Sequence, residues 1–372
     1  MCGQQTLTLF EGGRDGYHTY RIPSLLTAAN GDLLAFCEGR RDGAGDSGRI
    51  DLLMKSSSDD GRTWSDQRVV VSEPETTCGN PCPVVVRETG RILMPFCKNR
   101  ADGGEALIKT GNAPRTVWIT QSDDHGRTWS PPEEITPHVK KNVWTWYATG
   151  PGHAIQLTSG RIVVPCDHNT GIRFDESDPF GSHLIYSDDH GATWRIGAVL
   201  SLPGNESCAL ECDDGELYLN CRTRSEYGVR SYGRSRDAGL SFSEEGFHHG
   251  LPEPRRGHGG CQGSLLKLPA LNGGTSRFVF CNPATTGDER KRLALSTSDD
   301  HGRSWQERLV VCEGPSAYSD LVLLSDGEIG CLYECGDTRY NERLAFARIA
   351  VSEIAHAPRP RGRSRARGPD GR

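Results

Sequence analysis

The chain has 372 residues, 35% of them hydrophobic, and a formal net charge of −6. No apolar stretch approaches the length of about 20 residues that a membrane-spanning helix needs, which argues against a membrane span. Six arginines and Asp370 give residues 354–372 a charge of +5, which leaves −11 for the rest of the chain. An acidic body argues against nucleic acid as the main partner.

The composition predicts one large domain followed by a tail. Residues 1–353 contain no linker-like stretch, and we expect them to form one closed unit that is monomeric. Residues 354–372 are rich in Arg, Pro and Gly, which predicts disorder. The first residues, MCGQQTLTLF, lack the pattern of a signal peptide. We therefore expect a cytoplasmic protein as written, or a secreted or periplasmic one if an export signal has been removed.

Six apolar runs, each preceded by a turn glycine, predict six strands along the chain. The runs follow Gly31 (DLLAFCE), Gly90 (RILMPFC), Gly160 (RIVVPCD), Gly215 (ELYLNCR), Gly274 (TSRFVFC) and Gly327 (EIGCLYE). One such strand every 50 to 70 residues or so is typical of small antiparallel sheets arranged radially. The sequence thus predicts an all-β fold, a six-bladed β-propeller. A β-sandwich or a β-solenoid with decorated turns is the alternative.

An eight-residue phrase recurs between these strands, and we call it the Asp phrase. It reads serine, any, aspartate, any, glycine, any, serine or threonine, aromatic. The copies are Ser57 to Trp64, Ser122 to Trp129, Ser187 to Trp194, Ser298 to Trp305 and a weakened copy, Ser235 to Phe242. The Asp and Gly suit a tight turn, and the aromatic ring can wedge between neighbouring hairpins. This second repeat supports the propeller.

One position of the repeat is unusual in chemistry. Seven residues after each turn glycine come Glu38, Cys97, Asp167, Arg222, Cys281 and Glu334. Equivalent positions of a propeller lie on one ring around its axis. Because a buried charge is costly unless it is paired or used, the four ionisable members of this ring form a first candidate site. The alternative is a set of surface residues at strand ends.

The fourteen cysteines do not read as a disulfide framework or a metal site. Several lie inside apolar strands, where a cysteine acts as a small hydrophobic side chain. Zinc-finger spacing is absent, and no histidine cluster supports a metal. We expect mostly free thiols, no bound metal and no organic cofactor.

Several further short motifs follow one another along the chain. They are Tyr20-Arg21-Ile22-Pro23, Asn80-Pro81-Cys82-Pro83, Thr149-Gly150-Pro151-Gly152-His153, Asn205-Glu206, Asn220-Cys221-Arg222, Gly260-Cys261-Gln262-Gly263-Ser264, Ala317-Tyr318-Ser319-Asp320 and Leu332-Tyr333-Glu334. Together with the Asp phrases, they resemble the motifs of the exo-α-sialidases, glycoside hydrolases that remove terminal sialic acid. The resemblance runs from about Phe10 to about Ala347. Asp phrases alone are weak evidence, but the ordered set is specific.

The resemblance implies a cluster of three arginines, Arg21, Arg222 and Arg290. Sialic acid carries a carboxylate on its anomeric carbon, and the planar, permanently charged guanidinium suits such an anion. Arg292 is an alternative to Arg290. Glu334 is expected to neutralise and orient Arg21.

The resemblance also implies a tyrosine nucleophile, Tyr318. A carboxylate nucleophile would be repelled by the carboxylate of the substrate, whereas a neutral phenol is not. Because a phenol ionises near pH 10, it needs a base, and Glu206 holds that position in the family. Asp46 is expected to protonate the leaving oxygen and later to activate water, which gives retention of configuration. Asp51 is its rival.

Further substrate contacts are expected around these residues. Glu38 and Arg40 are expected near the ring hydroxyls, and Asn80 near the N-acyl group. Asp167, Trp146, Tyr147 and Glu105 are candidates for the glycerol pocket or the rim.

The expected substrates are sialylated oligosaccharides, glycoproteins or glycolipids. Two alternatives stay open. One is a non-catalytic propeller that binds sialylated glycans or a protein. The other is an enzyme that acts on a deaminated or other nonulosonic acid, or one that transfers sialic acid to another sugar.

Overall fold

The computed structural model describes residues 6–171, 180–224, 227–255, 259–270 and 274–355. Almost all regular structure in these residues is β-strand, which confirms the all-β prediction. The strands, numbered β1 to β25 in chain order, are Thr6–Glu11, Thr19–Thr27, Leu33–Arg40, Ile50–Ser57, Arg68–Val71, Thr76–Gly79, Val84–Val85, Ile92–Arg100, Thr116–Ser122, Glu133–Glu134, Tyr147–Thr149, Ile155–Gln156, Ile162–Asn169, Phe180–Ser187, Arg195–Val199, Ser207–Glu211, Leu217–Cys221, Val229–Ser235, Glu244–Pro252, Ser264–Leu268, Arg277–Pro283, Lys291–Ser298, Gln306–Leu323, Ile329–Cys335 and Arg343–Ile349.

Three short helices complete the described structure: α1 Glu105–Lys109, α2 Thr136–Val139 and α3 Val351–Ile354. No helix among the described residues is long and apolar enough to cross a membrane. The predicted disordered tail spans residues 354–372. Its first residue, Ile354, ends α3 and is buried. Residues 356–372 lie outside the described part, so their disorder stays a prediction.

Runs of antiparallel pairing follow one another along the chain: β2 to β5, β6 to β10, β11 to β15, β16 to β19, β20 to β23, and β23 to β25 with β1. A parallel bridge between Ile50 and Thr77 joins the first two runs. Strand β23 pairs with β22 through its first half and with β24 through its second half. Strand β1 pairs with β25, so the first and last described strands share one sheet.

The six predicted strands are present as β3, β8, β13, β17, β21 and β24. Each is fully or almost fully buried, because each has a neighbour on both sides in its sheet and apolar clusters on its faces. Their buried side chains form the contacts between successive sheets.

The Asp phrases fold as one repeated turn. In the copy at Ser122, the Ser122 hydroxyl accepts a bond of 2.8 Å from the Gly126 N–H and donates one to Asp124. The Asp124 carboxylate accepts bonds from the N–H and hydroxyl of Thr128 at 2.8 and 2.6 Å. The weakened copy at Ser235 makes the same set of bonds. The aromatic wedge is also present.

Two contacts show that wedge. Trp64 packs edge-on against Phe346 of β25, with ring centroids 5.2 Å apart. Trp129 packs edge-on against Phe36 of β3 at 5.8 Å. Each ring thus contacts a strand of a neighbouring run of antiparallel pairing: β25 for Trp64 and β3 for Trp129. The aromatic residue of the phrase therefore connects neighbouring runs.

Candidate functional site

Most of the site residues predicted from the sequence line one cavity of about 150 Å³. Of the eleven predicted site residues, ten line it: Arg21, Glu38, Arg40, Asp46, Asn80, Asp167, Glu206, Arg222, Arg290 and Tyr318. The eleventh, Glu334, does not line the cavity and accepts a hydrogen bond from Arg21. These residues come from strands and loops spread over the whole chain, so the cavity is a product of the tertiary fold.

Tyr318 lies on the part of β23 where the pairing with β24 shifts register, between Ser316 and Ser319. Irregularities of this kind re-aim a side chain, and here the phenol is aimed into the cavity. The hydroxyl donates a short hydrogen bond to Glu206 Oε1, and Arg222 Nη1 lies 3.2 Å from it. Tyr318 thus has both a proton acceptor and a cation at its oxygen.

Burial and then the charge of Glu206 raise the pKa of Tyr318 well above its usual value, although Arg222, Arg290 and Arg21 each lower it. The phenol is therefore neutral in the free protein, with the Glu206 carboxylate as its hydrogen-bond acceptor.

Arg21 is held by a bidentate pair with Glu334. Its Nε and Nη2 lie 3.0 and 3.1 Å from the two carboxylate oxygens. Arg21 precedes a register shift between β2 and β3, and the next residue, Ile22, has a φ of 58°. This turn lets the Ile22 N–H donate to the same carboxylate at 3.0 Å, so Glu334 fixes both side chain and backbone.

Arg222 and Arg290 complete the cluster from the other side. Arg222 forms an ion pair with Glu206 at 2.8 Å and donates to the Gly259 carbonyl from Nε and Nη2. Arg290 donates to the Gly260 carbonyl at 3.2 Å and forms no ion pair with any described residue. All three guanidinium groups border Tyr318: Arg21 and Arg290 lie 4.8 and 5.4 Å from its ring centroid.

The alternative arginine, Arg292, does not line the cavity. It forms a bidentate pair with Glu307 at 2.6 and 2.7 Å. Although Arg290 and Arg292 are two residues apart, the local backbone separates them, because Arg292 has a φ of 60°.

Asp46 lies in the loop between β3 and β4, and its side chain is 57% exposed. Its Oδ1 lies 2.8 Å from Arg40 Nη1 and 3.5 Å from Arg21 Nη1. Desolvation raises the pKa of Asp46, but the positive charges of Arg40 and then Arg21 outweigh it and lower the pKa to about 2. Its rival, Asp51, is buried in β4, where it accepts bonds from Tyr17 and Arg41, and it does not line the cavity.

Glu38 and Arg40 bind each other in the wall. Arg40 donates to Glu38 Oε2 from Nε and Nη2 at 3.0 and 2.7 Å, and Glu38 Oε1 accepts the Asn80 N–H at 2.9 Å. The Asn80 side chain in turn accepts from Arg115 at 2.6 Å. Arg115 is almost fully buried.

Asp167 is 1% exposed, with Oδ2 accepting the Trp146 indole N–H at 3.1 Å and Oδ1 having no partner among the described residues. Burial, and then the charge of Glu206, raise the pKa of Asp167 well above its usual value. Among the described residues that line the cavity, Asp167 is the one with a buried side-chain oxygen that has no hydrogen-bond partner.

Comparisons with known proteins identify the family of the chain. The model of the BNR repeat-like domain family matches residues 31–331. A sialidase of Micromonospora viridifaciens is 32% identical over 370 residues, which cover 93% of this chain and 55% of that protein. The chain belongs to the sialidase family. This family, also called the neuraminidases, consists of glycoside hydrolases.

Other sialidases also match over nearly all of this chain. Sialidase-3 of Mus musculus is 29% identical over 402 residues, covering 93% of this chain and 94% of that protein. The structure of a Hadza microbial sialidase aligns with a TM-score of 0.80 at 26% identity, over 94% of this chain and 69% of that one. The fold is therefore the β-propeller of the sialidases, while its number of blades stays a prediction.

Of the other residues expected at the glycerol pocket or the rim of the sialidase site, Trp146 and Glu105 line the cavity and Tyr147 does not. The expectation for Tyr147 was wrong. Successive residues of a strand point to opposite faces, so Trp146 and Ala148 face the cavity while Tyr147 is buried against Trp144 and His183.

Sequence reasoning missed several residues of the sialidase cavity. Arg115 and Tyr340 contact residues already named, and the others are Ile22, Lys109, Ala148, Phe180, Asn205 and Arg224. Ala148 could have been predicted from strand alternation, because it lies two residues after Trp146. Arg115 precedes β9 and Tyr340 lies in the turn between β24 and β25, both in stretches without a motif, so no sequence pattern indicated them.

The described cysteines lie outside the wall of the cavity. Eleven of them are free thiols, and all eleven are buried. None of them lines the cavity.

Proposed function

We propose that this sialidase is a retaining exo-α-sialidase that hydrolyses terminal α-linked sialic acids from oligosaccharides, glycoproteins or glycolipids through a tyrosyl-enzyme intermediate. The observation that carries the proposal is the cluster around Tyr318. Its hydroxyl donates to Glu206 and contacts Arg222, while the guanidinium groups of Arg21 and Arg290 lie against its ring. A neutral nucleophile inside a cationic cluster suits a substrate whose reacting carbon carries a carboxylate.

Substrate binding begins at the arginines. Arg21 and Arg222 already have carboxylate partners, Glu334 and Glu206, so the cluster is not left as three bare cations. Arg290 has no carboxylate partner among the described residues, so its N–H donors are open to the substrate. The sialic acid carboxylate binds between the three guanidinium groups and brings the anomeric carbon to Tyr318.

In the first chemical step, Glu206 takes the phenol proton as the Tyr318 oxygen forms a bond to the anomeric carbon. The bond from that carbon to the leaving oxygen breaks, and the leaving oxygen takes a proton from Asp46. The products of the step are the free aglycone alcohol and a sialyl group bonded to Tyr318.

In the second step, Asp46 takes a proton from water, and the water oxygen attacks the anomeric carbon. The bond to Tyr318 breaks, and the phenolate recovers its proton from Glu206. Two inversions at one carbon give net retention.

Asp46 must be protonated for the first step, yet its pKa is about 2 in the free protein because Arg40 and Arg21 outweigh desolvation. Binding of the substrate carboxylate raises the pKa of Asp46. It adds a negative charge beside Arg21 and excludes water from Asp46, and both effects favour the neutral acid. Binding of the substrate and protonation of its catalytic acid are thus coupled.

The experiment measures release of 4-methylumbelliferone from its α-N-acetylneuraminide and from the deaminated analogue, with wild type and Tyr318→Phe. We expect wild-type turnover and a loss of about a hundredfold or more in kcat for Tyr318→Phe. Tyr186→Phe, outside the cavity, is the matched control and is expected to keep full activity. Labelling with 2,3-difluoro-N-acetylneuraminic acid, followed by mass spectrometry, is expected to modify Tyr318.

Other outcomes separate the alternatives. Full activity of Tyr318→Phe contradicts the mechanism. A β anomer as the first product in an NMR time course contradicts retention. Sialyllactose formed in the presence of lactose indicates a trans-sialidase. A folded wild-type protein that turns over neither substrate points to a glycan-binding propeller or to another nonulosonic acid.

A further inference from the structure

Tyr340 belongs to no sialidase motif in the sequence, yet it lies at the arginine cluster. It is in the turn between β24 and β25, it is partly buried, and it lines the cavity. Its ring centroid lies 5.4 Å from the Arg21 guanidinium carbon and 5.6 Å from that of Arg290. Both distances are within the range of a cation–π contact.

The two tyrosines and the two arginines form one group. Arg21 and Arg290 each contact the ring of Tyr318 as well as the ring of Tyr340. Tyr340 also packs against the small apolar cluster of Ile22, Cys261, Ala317 and Tyr318 under the cavity. Each guanidinium group is therefore flanked by two aromatic rings.

Arg290 depends on these rings most. Arg21 is fixed by its bidentate pair with Glu334. Arg290 has one hydrogen bond, to the Gly260 carbonyl, and no ion pair with any described residue. Arg290 is partly buried. A partly buried guanidinium group without a counter-ion is stabilised by another source of negative potential, and the face of an aromatic ring supplies one.

The turn that carries Tyr340 is itself fixed. The Glu342 carboxylate accepts the backbone N–H groups of Asp337, Thr338 and Arg339 at 2.8, 3.2 and 2.9 Å. These bonds, together with the Thr338 hydroxyl, lower the pKa of Glu342 to about 2, so it stays ionised. The ring of Tyr340 is thus presented by a preorganised turn.

We propose that Tyr340 is a positioning residue for carboxylate recognition. Its ring holds the guanidinium groups of Arg21 and Arg290 in their binding orientation and leaves the hydrogen-bond donors of Arg290 free for the anion. It acts through the arginines and takes no part in proton transfer or bond formation. The inference rests on the proposed function, because it assigns a ligand carboxylate to this cluster.

The test measures binding of 2-deoxy-2,3-didehydro-N-acetylneuraminic acid, which carries the carboxylate and is not turned over, by calorimetry. The variants separate ring, packing and hydroxyl. Tyr340→Phe keeps the ring, Tyr340→Leu keeps apolar packing without an aromatic face, and Tyr340→Ala loses both. We expect the dissociation constant to rise about three- to thirtyfold for Leu and Ala and less than about twofold for Phe.

Two controls show that the effect belongs to the carboxylate. The methyl ester of the same ligand lacks the anion, and its weaker binding is expected to change less than about twofold in all variants. Tyr186→Leu removes a ring that lies 4.3 Å from Arg161, outside the cavity, and is expected to bind like wild type. In turnover assays the Leu and Ala variants are expected to raise KM and keep kcat within about threefold.

The contrary results are equally specific. Wild-type binding by Tyr340→Leu overturns the ring contact, and a loss in Tyr340→Phe equal to that in Ala assigns the effect to the hydroxyl instead. An equal loss for acid and ester contradicts carboxylate recognition. If wild type binds neither ligand, the proposed function fails; if all variants bind the acid alike, only the role of Tyr340 fails.

Discussion

The Asp-phrase turns and the cavity both contain carboxyl groups and hydrogen-bond donors, but the carboxyl groups differ in how completely they are hydrogen-bonded and in the direction of their pKa shift. In the turn at Ser122, neutral donors occupy the oxygens of Asp124, and their bonds lower its pKa to about 2. In the cavity, Asp167 keeps one oxygen without a described partner, and burial raises its pKa.

The difference separates a group that stabilises the fold from a group available to a ligand. A turn carboxylate has its bonds completed locally and repeats five times in nearly the same geometry. In the cavity, by contrast, two polar groups lack such partners among the described residues: Asp167 Oδ1 has no hydrogen bond, and the Arg290 guanidinium has no ion pair. Unsatisfied groups of this kind cost stability and are retained where they serve binding or catalysis.

The strongest contrast is expected from Arg222→Lys. An ammonium cannot replace the planar fork that contacts Glu206, Tyr318 and the Gly259 carbonyl at once. We expect KM for the fluorogenic sialoside to rise about ten- to a hundredfold with a smaller change in kcat. Arg292→Lys, which changes a pair outside the cavity, is the control and is expected to leave both constants near wild type. Equal losses in the two variants would contradict the division between site and scaffold.

The turns are expected to control acid stability. The folded pKa of Asp124, about 2, is below its unfolded value near 3.9. Its stabilisation is therefore complete above about pH 4 and is lost as the pH falls toward 2. We expect Asp124→Asn to reduce the free energy of unfolding by about 1 kcal/mol at pH 6, a value discounted for solvent screening. Urea unfolding at pH 6, 4 and 3 measures it, and a difference from wild type that does not shrink with acid would argue against this role.

The smallest effect distinguishes two copies of the same phrase. The Trp194 indole N–H donates to the Gly191 carbonyl at 3.0 Å, whereas the buried Trp129 N–H has no partner among the described residues. Changing either residue to Phe removes a similar volume, but only Trp194→Phe breaks a bond. We expect Trp194→Phe to be less stable than Trp129→Phe by about 1 kcal/mol in urea unfolding. Identical stabilities would show that the wedge acts through packing alone.

Local sequence predicts the parts of this protein that are local in space. The six apolar strands and the Asp phrases are found as predicted, because a turn glycine and an Asp phrase each encode their own geometry within eight residues. The all-β class follows from them. The parallel bridge at Ile50 and the division of β23 between two sheets depend on how neighbouring sheets meet, and no sequence pattern encodes that.

The site shows the same limit. Glu38, Asp167, Arg222 and Glu334 could be found from the repeat, because equivalent strand positions lie around one axis. Asp46, Glu206 and Tyr318 required the resemblance to a family, since each lies in or beside an irregular stretch. Tyr340 gave no signal at all, because its contact with Arg21 joins residues that are 319 positions apart in the chain.

The pairing of β1 with β25 sets the order in which the molecule can be completed. Thr6 lies opposite Ala347, so β1 has its partner only after the residues up to β25, 341 positions later in the chain, have been synthesised. Arg21 and Glu334, 313 residues apart, meet across the same junction. A nascent chain that has not yet reached β24 therefore lacks both the pairing of β1 with β25 and the ion pair beside the cavity, so the cavity is completed late in synthesis.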